Sequence, residues 1–235
     1  MLNLIMNSAF TSLEEQIHIA FPDRDLLENA FIHRSFLNEH KNHHLSSNEK
    51  LEFLGDSVLS LVTSIYLYKN YPALREGDYT DIKASIVRTE SLSEAAQKLN
   101  LGLYLRLSKG QEQENGRQNM NILADTFEAL IAVIFLQKGF DEAYGFVSSF
   151  LFTDKLESVI SNKLYLSPKS RLQELLQAVH KQIPSYIVTK EEGPEHMRTF
   201  TINATFNGSV IGTGTGRSKK EAEEAAAQNA IENMK

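Results

Sequence analysis

The chain has 235 residues, 42% of them hydrophobic, enough to bury a substantial core in one large domain plus a small one. It has no cysteine, so disulfide frameworks, zinc–thiolate sites and thiol catalysis are excluded together. The net charge of −6 is uneven: from Pro168 onward nine Lys and Arg stand against eight Asp and Glu, or +1, and the preceding part carries 15 against 22, or −7. Local basic patches therefore leave a polyanionic partner open.

Met1 to Phe10 has no basic start, and no stretch is expected to reach the ~20 apolar residues that span a bilayer. The expectation is a cytoplasmic chain without membrane contact. Residues 8–162 read as helices throughout. Leu26, Leu27, Ala30 and Phe31 have helical spacing, with His33-Arg34-Ser35-Phe36 at the end of that helix, followed by a polar loop from Asn38 to Ser47. The loop carries His40, His43 and His44, which read as loop histidines because no ordered acidic or thiol ligands accompany them.

Ser47 or Asn48 can cap the next helix, which opens Glu49-Lys50-Leu51-Glu52-Phe53-Leu54-Gly55-Asp56 and is stopped by Pro72. At about 100° per residue, Glu49, Glu52 and Asp56 share an arc of roughly 60° within an otherwise apolar helix. Packing alone gives no reason to bury three like charges. Further helices are predicted over Thr80–Val87 and Thr89–Leu99, and Ser108 to Asn119 reads as an exposed loop or frayed helix end.

A second apolar helix, capped by Asn119 or Asn121 and ended near Gly139, sets Asp125 and Glu128 one turn apart. Two acid-bearing core helices point to a shared divalent-metal site. Another helix or two should fill Glu142–Ser161, with a linker at 163–167.

After Pro168 the period changes. An amphipathic helix over Ser170–His180 is followed by strands at Ser185–Thr189, Thr199–Phe206 and Ser209–Gly214, with Asn207-Gly208 as a hairpin turn, and by an Ala-rich helix over Ser218–Asn233. The fold class is therefore multidomain: an all-α domain at 8–162, then a small α+β domain of order α-β-β-β-α at 168–235.

The string Asn48-Glu49-x-Leu51-Glu52-Phe53-Leu54-Gly55-Asp56-Ser57-Val58-Leu59 resembles the signature of ribonuclease III, the bacterial double-stranded RNA endonuclease. His33-Arg34-Ser35-Phe36 and Leu123-Ala124-Asp125-Thr126-x-Glu128-Ala129-Leu130-Ile131 resemble its flanking blocks. The C-terminal unit, with Gly212-x-Gly214 before Ser218-Lys219-Lys220-x-Ala222, is similar to the double-stranded RNA-binding domain that the family carries. The likeness covers nearly the whole chain in order. It implies a homodimer that cuts opposite strands of duplex RNA, leaves 5′-phosphate and 3′-hydroxyl ends with a short 3′ overhang, and acts on ribosomal precursors and structured messages.

Two carboxylates about 4 Å apart repel by roughly 4 kcal/mol at an effective dielectric near 20, so a converging set needs protons or a cation. Oxygen ligands without Cys, and without His in either acid motif, favour Mg²⁺, with Mn²⁺ as a substitute and no organic cofactor. Glu52, Asp56, Asp125 and Glu128 are the expected ligands, and the resemblance makes Asp56 and Glu128 the pair on which catalysis depends most. It also assigns Glu49 a lesser role in RNA positioning and matches Glu76 to another acidic position. Phe53 is expected at the dimer interface.

For RNA contacts, the same match offers Ser170, Gln173, Glu174 and His196, with Lys219 and Lys220 on phosphates at a helix N-terminus. Where the family often has a third basic residue after Lys-Lys-x-Ala, this chain has Glu223, which leaves the strength of its phosphate grip open. A non-catalytic duplex binder should have lost acids from the cluster, and all four are present.

Overall fold

The computed structural model describes residues 2–152 and 154–234, with side chains from Phe10 onward apart from 153–155 and His196. It divides into two compact units, Met1–Glu157 and Ser158–Lys235.

The first unit is built from α1 (Leu2–Ile17), α2 (Arg24–Asn29), α3 (Arg34–Glu39), α4 (Glu49–Asn70), α5 (Glu76–Ile86), α6 (Thr89–Lys98), α7 (Lys109–Gln113), α8 (Met120–Lys138) and α9 (Phe140–Phe150). A further helix, α10 (Asp154–Ser161), carries the division between the units. The centre is α8, which packs against α4, α6 and α9. Asn119 caps it by accepting from the backbone N–H groups of Asn121 and Ile122, and Gly139, at φ 85°, ends it. From Ile122 to Ile134 every residue is buried except Asp125 and Glu128, which are half-buried. A helix this apolar has to be covered on nearly all sides.

Several local expectations are corrected. His33-Arg34-Ser35-Phe36 opens α3 rather than closing α2: His33 is the N-cap, its Nδ1 accepting from the Ser35 N–H. The polar loop is shortened accordingly, and His40 stacks on Phe36 with ring centroids 4.0 Å apart. Helix α5 begins at Glu76, four residues early, because Asp78 accepts from the Arg75 backbone N–H at 3.1 Å. Ser108–Asn119 is not frayed: α7 and a 3₁₀ turn at Gly116–Gln118 fill it, and Arg117 Nη1 donates to the Gly102 carbonyl at 2.7 Å.

Among the described residues two helices, α4 and α8, are by length and composition apolar enough to cross a membrane, contrary to the expectation that no stretch comes near. Core helices pass the same test, and 61% of the relevant window of α8 is buried inside the protein.

The second unit has α11 (Pro168–His180), β1 (Ser185–Glu192), β2 (Thr199–Phe206), β3 (Ser209–Gly216) and α12 (Lys219–Asn233). The sheet is antiparallel in the order β1-β2-β3, and the Asn207-Gly208 turn has both residues at positive φ, 50° and 76°, as its two-residue hairpin requires. Strand β1 runs to Glu192 past a register shift between Val188 and Lys190, longer than the β-branched run predicts.

Helix α12 lies close on β3: a Cβ at Gly212, Gly214 or Gly216 would come within 2.6 Å of the α12 backbone. Every second residue of β3 is thus small where Ala222, Ala226 and Ala230 arrive, all fully buried. Leu172 and Leu176 of α11 complete that core with Ala204 and Ile231.

Candidate functional site

Helices α4 and α8 bring the acids together. Ligand oxygens of Glu52, Asp125 and Glu128 all lie within 4.8 Å of one another, and all three side chains are half-buried. What permits this approach is Gly55, one turn beyond Glu52: a Cβ there would sit 1.9 Å from the Glu128 carbonyl oxygen. Glycine in a helix interior costs about 1 kcal/mol relative to alanine, so its place in α4 reflects the contact with α8.

The electrostatics follow from that approach. Burial raises the Glu128 carboxyl to about 8, aided by the charges of Asp56, Asp125 and Glu52 in that order. Burial also raises Glu52, with Asp125, Glu49 and Asp56 adding to it, and raises Asp125. Three hard oxygen donors that resist ionising beside one another fit a divalent cation, which would offset both their desolvation and their repulsion. No His or Cys belongs to the set.

The other expected residues are placed as follows. Asp56 is exposed and stands outside the set of three, although it is the leading charge acting on Glu128. Glu49 is exposed at the first turn of α4, where the Ser47 hydroxyl donates to it at 2.6 Å and Arg34 lies 3.6 Å away. Glu76 is exposed at the start of α5, accepting from the Thr80 hydroxyl, and is not in the cluster. Phe53 is 79% exposed, and Leu61 and Tyr68 of the same helix are exposed with it.

In the second unit, Ser170, Gln173 and Glu174 share one face of α11, the first two exposed and Glu174 paired with Lys163 at 2.5 Å. Lys219 and Lys220 are exposed in the first turn of α12, which Ser218 caps by accepting from the Glu221 N–H. His196 falls in a 3₁₀ turn, Glu195–Met197, and its side chain lies outside the described residues.

Sequence reasoning named Asn48 only as a possible cap. In fact its side chain makes no capping bond: it is buried, its Nδ2 donates to the Ala30 carbonyl at 3.3 Å, and its N–H donates to the Ile32 carbonyl at 2.9 Å. Asn48 thereby ties the acid helix to the α2–α3 turn. An Asn at a helix start reads as a cap, so nothing in the sequence separated the two roles. Arg106 was also missed. It pairs with Glu28 at 2.6 Å, and its backbone bridges to Phe31 and His33, bracing the start of α3.

A family model described as Ribonuclease-III-like matches residues 23–155, and one described as a double-stranded RNA binding motif matches 168–234. The chain belongs to the ribonuclease III family. It is 44% identical to the Ribonuclease 3 of Chloroflexus aurantiacus over 96% of this chain and 92% of the relative. It is 45% identical to that of Treponema denticola over 94% and 89%. Among solved structures, the nuclease domain of ribonuclease III from Campylobacter jejuni, described as flexible in the region involved in dimer formation, is 35% identical with a TM-score of 0.55. It covers 60% of this chain and 94% of its own. As a ribonuclease III, the protein is an endoribonuclease of double-stranded RNA, with a helical nuclease domain followed by a duplex-binding α-β-β-β-α domain.

Proposed function

We propose that Glu52, Asp56, Asp125 and Glu128 hold Mg²⁺, with Mn²⁺ able to replace it, and that Asp56 and Glu128 are the carboxylates on which cleavage depends most. The observation supporting this is the convergence of Glu52, Asp125 and Glu128 within 4.8 Å in a half-buried setting that opposes their ionisation. Asp56, one turn on from Glu52 and exposed, is free to turn toward the set once its charge is offset. When bound, the cation supplies a water of lowered pKa and neutralises charge on the scissile phosphate. Glu128 gives up its proton as a ligand, and Gly55 holds the two helices at the separation the cluster needs.

On this reading the nuclease domain occupies 8–162, a linker 163–167 and the RNA-binding domain 168–235. Ser170, Gln173 and Glu174 face the shallow minor groove with its 2′-hydroxyls, Lys219 and Lys220 take phosphates across the major groove, and His196 is a third contact. Glu49, held by Ser47 and Arg34, orients RNA beside the acids. The apolar stripe of α4, Phe53 with Leu61 and Tyr68, is covered by a second copy of the chain, so that two sites act on opposite strands. Products carry 5′-phosphate and 3′-hydroxyl ends with a short 3′ overhang, and the role is processing of ribosomal and messenger RNA in the cytoplasm.

A long RNA duplex should be cut with Mg²⁺ and left intact in chelator, to fragments that a ligase joins without prior phosphorylation. The same preparation should sediment at twice the chain mass of 26.5 kDa. Equal cutting of single-stranded RNA, or 5′-hydroxyl products, would count against the reading; a monomer that cuts normally would remove the homodimer.

A further inference from the structure

An ion pair joins the first turn of α11 to the second turn of α12. Lys169 Nζ lies 2.5 Å from a carboxylate oxygen of Glu223, with Lys169 37% and Glu223 27% exposed. Lys169 of this pair lies 4.7 Å from the centroid of the Tyr186 ring, and the neighbouring Lys219 lies 5.8 Å from that of Phe200. Tyr186 packs into the same cluster as Phe200. Burial first, and the Glu223 charge second, push the Tyr186 phenol up to about 12, so this tyrosine stays neutral and adds no charge of its own.

Glu223 stands four residues after Lys219 and three after Lys220, the spacing that places side chains on one face of a helix. A carboxylate therefore shares the face of α12 that carries the two exposed lysines, and a third ammonium from α11 is bonded to it rather than left for solvent. A phosphate that called on Lys169 would have to displace Glu223.

Resting on the reading of this unit as a duplex-RNA binder, we propose that Glu223 attenuates the grip on RNA by holding Lys169, a latent third phosphate contact beside Lys219 and Lys220. The pair contributes no net charge, so the domain engages phosphates with two lysines where three are within reach. Weak phosphate attraction suits an enzyme that must release its product after cutting, since the electrostatic part of binding is shared by substrate and product alike.

The test is the affinity of the full chain for a short RNA duplex in chelator, measured across a series of monovalent salt concentrations. Glu223→Gln should bind about 3–10-fold tighter near 0.1 M salt, with a log–log salt slope steeper by about 0.9, the value for one more neutralised phosphate. The double variant Lys169→Ala/Glu223→Gln, which restores the charge balance, should return affinity and slope to those of the unaltered protein. A Lys219→Ala/Lys220→Ala variant, expected to lose most duplex affinity, serves as reference: unchanged binding there would sink the reading of the domain itself.

Unchanged or weaker binding by Glu223→Gln would overturn the attenuator alone, as would a gain that survives removal of Lys169. Thermal unfolding of each variant accompanies the titration. A Glu223→Gln protein that has lost its fold would make the pair a structural tie and overturn the proposal too.

Discussion

Glu128→Gln is expected to lower cleavage of duplex RNA by at least about 10³-fold, the several kcal/mol that a correctly held cation supplies to a phosphoryl transition state, while duplex binding stays. The substitution keeps volume and hydrogen-bonding reach and removes only the negative ligand. Its effect on the metal-free fold has a definite sign. The Glu128 carboxyl titrates near 8 in the folded protein against an ordinary value of 4.5, so the folded chain holds this proton more tightly than the unfolded one. Metal-free stability from this group is therefore lost as pH rises from about 4.5 to about 8. The glutamine variant has no such proton to lose. It should match the parent at acid pH and exceed it at pH 8 and above in thermal unfolding with chelator. A variant that still cuts would take Glu128 off the list of catalytic groups, and one that unfolds earlier at high pH would contradict the electrostatic account of the cluster.

Gly55→Ala should do comparable damage from the other side of the interface. Its new Cβ would lie 1.9 Å from the Glu128 carbonyl oxygen and 2.5 Å from the carbonyl carbon, backbone atoms that move only if α8 moves. An ordinary contact needs upward of 3.4 Å, so the helices must part by more than an ångström at the level of the acids. Overpacking of this kind costs typically 1–3 kcal/mol, which the alanine's better helix propensity, about 1 kcal/mol, offsets only in part. A displacement of that size also lowers catalysis by about 10²-fold when it separates groups that must act together. Urea unfolding should show the lost stability, and kcat/KM in saturating Mg²⁺ the lost activity. Full activity at unchanged stability would mean that α4 and α8 do not depend on close approach at this turn.

The parts of the molecule legible in advance are those where one residue type admits one physical explanation. An acid on an almost wholly apolar helix is such a signal, and Asp125 and Glu128 are indeed the two residues short of full burial between Ile122 and Ile134. The Asn207-Gly208 turn is another, since Asn and Gly are the residues that tolerate the positive φ found there.

Boundaries were less legible where a cap lies in an unexpected residue. The early start of α5 depends on Asp78 reaching back to Arg75, and the separate helix α3, not expected at all, starts on a histidine nitrogen in place of the usual Ser or Asp. Ser108–Asn119 reads as exposed loop or frayed helix end because its polar, glycine-bearing composition hides two sources of order, a local cap from Ser108 to the Gln111 N–H and the bond of Arg117 to the Gly102 carbonyl. Asn48 does stand at the N-cap of α4, as its type and place suggest, but its side chain is spent on a tertiary bond to Ala30 that is invisible in one dimension.

The claim that Glu52, Asp125 and Glu128 converge to hold a cation is tested most directly by calorimetric titration of the RNA-free protein with Mn²⁺ at pH 7, in buffers of differing ionisation enthalpy. The account predicts a saturable site that releases about one proton per ion, because a carboxyl with a pKa near 8 is largely protonated at pH 7 and must ionise to bind. That release should fade as pH rises past 8, and the site should vanish in a Glu52→Gln/Asp125→Asn/Glu128→Gln protein that remains folded. Mn²⁺ binding of equal strength in that triple variant would contradict the account.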